Sequence, residues 1–175
     1  MKPLIFDNSP LSHFARANEL EALAAITAQR ERFVTQAVLD ELEVGVAAYR
    51  ELAAVAQSEW LQVATVESLP ELQAFAEYAR RLGSGVRDIG EAATLAWAEV
   101  HRGVAILDER AGTRHARERG VDAHGTLWLI AEGYRSHVLT AKQSEQLVDA
   151  LNAAEAWFPC SGADFLAWAA GAGLL

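Results

Sequence analysis

Two apolar runs that each end at an aspartate constrain this chain more than any other feature: Leu4-Ile5-Phe6-Asp7 and Val104-Ala105-Ile106-Leu107-Asp108. Neither run alternates apolar with polar residues, so neither reads as a strand with one solvated face. A strand apolar on both sides is covered on both sides, the situation of a central strand in a parallel sheet. Elsewhere the apolar residues recur at helical spacing, over 11–28, 38–56, 69–82 and 90–102, with a weaker strand at Phe33-Val34-Thr35. After Asp108 the pattern predicts a helix to about Arg119, a short strand over 121–124, a helix from Thr126 and mostly helix to the end. Strand and helix in alternation predict an α/β fold, a three-layer α/β/α sandwich around a central parallel sheet.

The chain has 175 residues, one domain's worth, without an internal repeat or a low-complexity linker, so residues 1–175 are expected to form a single domain. Its 35 alanines, one residue in five, favour helix. Fifteen Lys and Arg against 24 Asp and Glu give a net charge of −9, which opposes the long-range attraction by which basic proteins coat nucleic acid. Any nucleic-acid contact must therefore be local. The single cysteine, Cys160, excludes an internal disulfide and a multi-cysteine zinc site and suits a reducing cytosol, so a cytoplasmic location is expected. The N-terminal apolar run stops at Asp7, too short for a signal peptide. The longest apolar stretch, 165–175, is eleven residues, against the ~20 that cross a bilayer. A soluble protein with no membrane partner is expected.

In an open parallel sheet, ligands bind beyond the carboxyl ends of the strands, so Asp7 and Asp108 are predicted to share one sheet edge. An aspartate after a strand is also an ordinary turn or capping residue. Glu41 gives a sharper signal. Val38, Leu42, Gly45 and Tyr49 make an apolar stripe at helical spacing, and Glu41 lies within it while Asp40 and Glu43 lean away. A carboxylate on a buried face needs compensation from a helix N-terminus, a cation or a metal. Glu91 repeats the pattern at the head of the helix that follows Gly90, sharing a face with Leu95 and Ala98, although a first-turn glutamate also simply suits the helix dipole. Four carboxylates converging on one crevice repel unless protonated or bridged, and an all-oxygen set selects Mg²⁺ or Mn²⁺ over zinc. Such ions polarise phosphates and activate water, the chemistry of metal-dependent nucleases.

On these residues the chain resembles the PIN-domain family, in particular VapC-like toxins and their relatives. The carriers are the segment from Leu4 to Leu11, Val38-Leu39-Asp40-Glu41-Leu42, Asp88-Ile89-Gly90-Glu91-Ala92, Leu107-Asp108-Glu109-Arg110 and Gly125-Thr126-Leu127, in that order over nearly the whole chain. The resemblance implies a PIN fold and Mg²⁺- or Mn²⁺-dependent RNA cleavage, with metal-binding and catalytic roles at Asp7, Glu41, Glu91 and Asp108. It also implies an antitoxin partner. Ser9 is a candidate supporting hydroxyl and Thr126 a candidate helix cap, each with an ordinary turn or cap reading. Relatives carry arginine where this chain has Thr113, with Arg114 one position later, and threonine where it has His124. His124 reads as a packed or solvated side chain, or as a phosphate contact. His13, His101, His115 and His137 show no ligand spacing.

Arg110, Arg114, Arg117 and Arg119 with His115 make a locally basic stretch after Asp108, offset by Glu118; it suits RNA phosphates, and rather better the solvated face of a short helix. The closing Phe165–Ala170 segment suits the protein's own core or a homodimer contact. Three functions compete. An endoribonuclease acting as the toxin of a toxin–antitoxin pair leads. A non-catalytic interaction module of the same fold would be signalled by a lost acid, and none is lost. A Rossmann-type nucleotide enzyme lacks its phosphate loop, since Gly83-Ser84-Gly85 has no third glycine at the required spacing.

Overall fold

A computed structural model describes residues 1–82 and 87–175; the Gly83-Ser84-Gly85 stretch, weighed above as a phosphate loop, lies outside the described residues. Strands β1 (Leu4–Phe6), β2 (Arg32–Thr35), β3 (Gln62–Ala64), β4 (Val104–Ile106) and β5 (Asp122–His124) pair in parallel in the order β3-β2-β1-β4-β5. Among the described residues the helices are α1 (Asn8–Arg16), α2 (Leu20–Ile26), α3 (Gln36–Gly45), α4 (Ala53–Ala56), α5 (Leu69–Leu82), α6 (Arg87–His101), α7 (Arg110–Glu118), α8 (Thr126–Arg135), α9 (Ala141–Ala153) and α10 (Phe165–Gly171).

The unalternating apolar runs behave as their composition dictates. β1 is the middle strand, and all three of its residues are buried. Leu4 and Phe6 enter one core with Leu11, Phe14, Val38 and Ile130, while Ile5 points the other way, to Tyr78, Leu95, Ala105 and Leu107. Covering both faces completes the three-layer α/β/α sandwich, and each large apolar side chain so buried contributes roughly 1.5–3 kcal/mol. On the second face Ala92, Ala93, Ala96 and Ala98 of α6 are buried, so the alanine excess serves close helix packing.

The strand order matters for the site. From β1 the chain builds outward through β2 to β3, then returns across the sheet to place β4 and β5 on the other side of β1. The connections leaving β1 and β4 therefore diverge, and the gap between them, beyond the strands' carboxyl ends, is the topological switch point where ligand crevices form. Asp7 and Asp108 flank that gap.

The observed elements differ from the expected ones at several points. The helix expected over 11–28 is two helices, because Asn18 adopts a left-handed conformation (φ 56°) that ends the first. The helix expected over 38–56 begins two residues earlier, capped by Thr35, whose Oγ1 accepts from the Val38 amide at 3.3 Å, and stops at Gly45. A 3₁₀ turn, Arg50–Leu52, and α4 follow. Tyr49 thus leaves the apolar stripe and lies under the Arg16 guanidinium, 3.9 Å from its ring centre. Strand β3 has no counterpart in the sequence reading: it is an edge strand with Gln62 and Val63 exposed, so it carries no apolar run. No helix among the described residues is long and apolar enough to cross a membrane.

Candidate active site

Asp7 closes β1 and is almost wholly buried, with its backbone amide donating to Ile106 O of β4 at 2.9 Å. Burial pushes its carboxyl up to about 7; the Asn8 amide opposes that shift, and the fields of Glu41, Asp108 and Glu109 add to it. Those three carboxylates therefore lie within electrostatic reach of Asp7. Glu109 has no role in the sequence reading, because an acid beside Asp108 on an exposed turn carries no periodicity.

Glu41 is held from two directions. Its Oε1 accepts the Gly90 amide of α6 at 2.8 Å, and its Oε2 accepts Asn8 Nδ2 at 3.2 Å. Asn8 is itself set by Ser12, whose hydroxyl donates to Asn8 Oδ1 at 2.6 Å. Asp40 and Glu43 are exposed, as the helical face predicts. The supporting hydroxyl on this helix is thus Ser12 rather than Ser9, since one turn separates Asn8 from Ser12 and puts them on one face.

Asp108 sits at the start of α8. Thr126 N donates to its Oδ1 and Thr126 Oγ1 to its Oδ2, both at 2.7 Å. The helix cap is Gly125, so Thr126 does not cap α8; it is the first helical residue and anchors the acid. The N-terminal end of the helix dipole further suits a negative charge there. His13 Nε2 stands 3.5 Å from Asp108 Oδ2. Burial lowers the His13 pKa, Asp108 opposes that and Arg16 reinforces it. A lone histidine six residues after Asp7 carries no motif; it reaches Asp108 only because α1 leaves β1 across the switch point. Phe158 packs edge-on against its ring at 5.8 Å.

Glu91 is buried on α6 and turned toward α7. Three of the four acids lie against a glycine with no room for a methyl group. A Cβ at Gly90 would come 2.7 Å from Glu41 Oε1, one at Gly125 2.7 Å from Asp108 Oδ1, and one at Gly112 would collide with Glu91 Oε1. Gly112 has no part in the sequence reading, since a glycine inside a helix reads only as a weak position.

The remaining expectations resolve as packing. His124 stacks on Trp128, ring centres 4.1 Å apart and 9° from parallel, and its Nε2 lies 3.0 Å from Asp122 Oδ1, so it is a packed side chain. Thr113 Oγ1 donates to Glu109 O at 3.0 Å, a bond within the first turn of α7.

These residues fit a hard divalent cation. The donors are carboxylate oxygens, the local charge is in excess, and the glycine cradles seat carboxylates without crowding. Among the described residues no three His, Cys, Asp or Glu side chains close on one point, and Glu91 is not among the carboxylates whose field acts on Asp7.

A family model, DUF3368, described as a PIN domain, matches residues 3–163. No curated protein and no solved structure gives a significant match.

Proposed function

The chain belongs to the PIN-domain family, a nuclease-type fold, and on that premise we propose that it is a metal-dependent endoribonuclease that hydrolyses RNA phosphodiester bonds. The observation that supports this reading most is the crowding of Glu41, Asp108 and Glu109 around a buried Asp7 whose carboxyl they help push up to about 7. A fold does not keep such charges together for stability, because each repels the next. Asp7, Glu41, Glu91 and Asp108 would hold Mg²⁺ or Mn²⁺. When bound, the ion supplies Lewis-acid polarisation of the phosphate and a more acidic water.

The chain's own groups do the rest. Thr126 fixes both oxygens of Asp108, while Asn8 and the Gly90 amide fix those of Glu41. Such supporting bonds hold the carboxylates in place against repulsion before an ion arrives.

We read the activity as that of the toxin of a toxin–antitoxin pair, held in check by an antitoxin. A basic side chain of that partner would compensate the acid cluster where the metal otherwise does. The test is purified protein on labelled RNA with Mg²⁺ or Mn²⁺, beside Asp7→Asn prepared identically. Cleavage by the first and a loss of about 100-fold or more in the second is expected, since even partners that only orient metal ligands are worth 10–100-fold. Equal rates would refute the nuclease reading. Co-expression with the product of the adjacent gene should give an inactive complex that recovers activity when the partner is proteolysed; failure of that arm alone removes the toxin role and leaves the nuclease.

A further inference from the structure

We propose that Arg110, Arg114 and Arg117 of α7 form a phosphate-binding stripe that receives the RNA backbone along the solvent face of the helix that follows Asp108; it rests on the ribonuclease reading for its substrate. The three lie at i, i+4 and i+7, on the face opposite Gly112 and Ala116, which pack against the body of the protein. All three are exposed. The stripe starts two residues after Asp108 and extends about 10 Å along the helix axis.

The charge environment singles out this face. Most of the other described cations are committed: Arg119 grips Glu99 through two nitrogens, Arg81 bridges Glu77 and Glu118, and Arg30 and Arg135 share Glu132. Arg110, Arg114 and Arg117 take part in no ion pair among the described residues. Glu118, the acid of α7 itself, is occupied by Arg81 and His115. Glu109 at the helix cap is exposed and contributes its field to Asp7. In a chain of net charge −9, three uncommitted guanidinium groups in one line on the helix that follows Asp108 are a local anion site. Guanidinium forks match phosphate oxygens in pairs.

The test measures binding and cleavage separately. Binding of a fluorescein-labelled, mixed-sequence single-stranded RNA oligonucleotide to the Asp7→Asn protein is followed by anisotropy, without divalent ions, between about 50 and 200 mM KCl. The same is done with Arg110→Gln, Arg114→Gln and Arg117→Gln added singly and together, and with the three Arg→Lys changes. Each phosphate that an arginine no longer neutralises flattens the log–log salt slope by about 0.7, so the triple Gln variant should lose about 2 and the triple Lys variant should keep the slope. Should the triple Gln variant not fold, the single variants carry the measurement. An unchanged slope overturns the stripe, as it would if the arginines served an acidic protein segment; with wild-type RNA cleavage intact, the nuclease reading survives that result. No RNA binding at the lowest salt also overturns the stripe. A wild type that binds RNA through these arginines and never cuts it upholds the stripe and overturns the nuclease.

Discussion

Asp7 is where the chemistry of the crevice conflicts with the stability of the fold. Its carboxyl rises from 3.8 to about 7 because burial, and then the neighbouring carboxylates, disfavour the charge. An acid whose pKa is higher folded than unfolded binds its proton more tightly in the native state. Stability therefore falls as pH rises from about 4 to 7 and levels off above. In metal-free protein Asp7→Asn should thus unfold later than wild type at pH 8, by a few kcal/mol with ~4 as the ceiling, and the gap should close toward pH 4. Urea denaturation in chelator across that range measures it, and an equal gap at both ends would assign the effect to packing. Glu41 and Glu43 make a second comparison two residues apart. Glu41→Gln removes an oxygen that accepts the Gly90 amide or Asn8, and should lower RNA cleavage about 100-fold. Exposed Glu43→Gln should change it by less than about twofold. Comparable losses in initial-rate assays would show that the helical face does not decide the chemistry. That face was legible because a carboxylate on an apolar stripe breaks a pattern. His13, Glu109 and Gly112 break none; each enters the site through a contact between segments distant in sequence.

At the scale of elements, α5 shows what made some boundaries readable. Ser68 and Glu71 form a reciprocal cap: Ser68 N donates to Glu71 Oε2 at 2.7 Å and Glu71 N to Ser68 Oγ at 3.4 Å. Pro70 occupies the first turn, where its missing amide costs nothing. The helix expected over 69–82 is the helix found. Where the end of a helix depends on a left-handed residue, as at Asn18, the apolar spacing continues past the break and the sequence gives no warning. Glu71 does more than cap, because its Oε1 lies 2.7 Å from His101 Nε2 and ties the start of α5 to the end of α6. Burial pushes this carboxyl up, but the bonds from Ser68, His101 and Glu67 outweigh it and hold it at about 2. An acid with a pKa lower folded than unfolded stabilises above its unfolded value, here 4.5, and loses that contribution as pH falls toward 2. Glu71→Gln should cost ~2 kcal/mol at pH 7. It should also flatten the acid limb of the stability profile, read by denaturant midpoints from pH 7 to 3. A parallel drop at every pH would mean that its charge is not what holds the two helices.

The whole molecule joins the two scales through strand order, which periodicity does not encode. Parallel strands and their apolar faces are local properties, so the layers of the sandwich were readable from β1 and β4. The return across the sheet that makes β1 and β4 neighbours is a tertiary choice, and it creates the crevice. Glu41 and the head of α6 then meet because α3 packs on α6, a contact spanning 49 residues of sequence. The result is an acidic protein, net charge −9, that concentrates part of its charge where the chain folds back on itself. A divalent ion bound there, as proposed, would relieve the repulsion among these acids, so metal affinity and folding stability would be linked. At a divalent ion concentration 100 times its dissociation constant, binding to the native state alone adds about 2.7 kcal/mol. For a chain of this size that is a rise of about 5–10 °C in melting temperature. Mg²⁺ or Mn²⁺ should produce it at pH 8, NaCl of equal ionic strength should produce much less, and Asp7→Asn should lose most of it. Scanning calorimetry of the two proteins, with chelator and with metal, makes the comparison. Equal shifts in wild type and Asp7→Asn would mean that the ion binds away from the acids at the switch point, and the proposed metal centre would fall with that result.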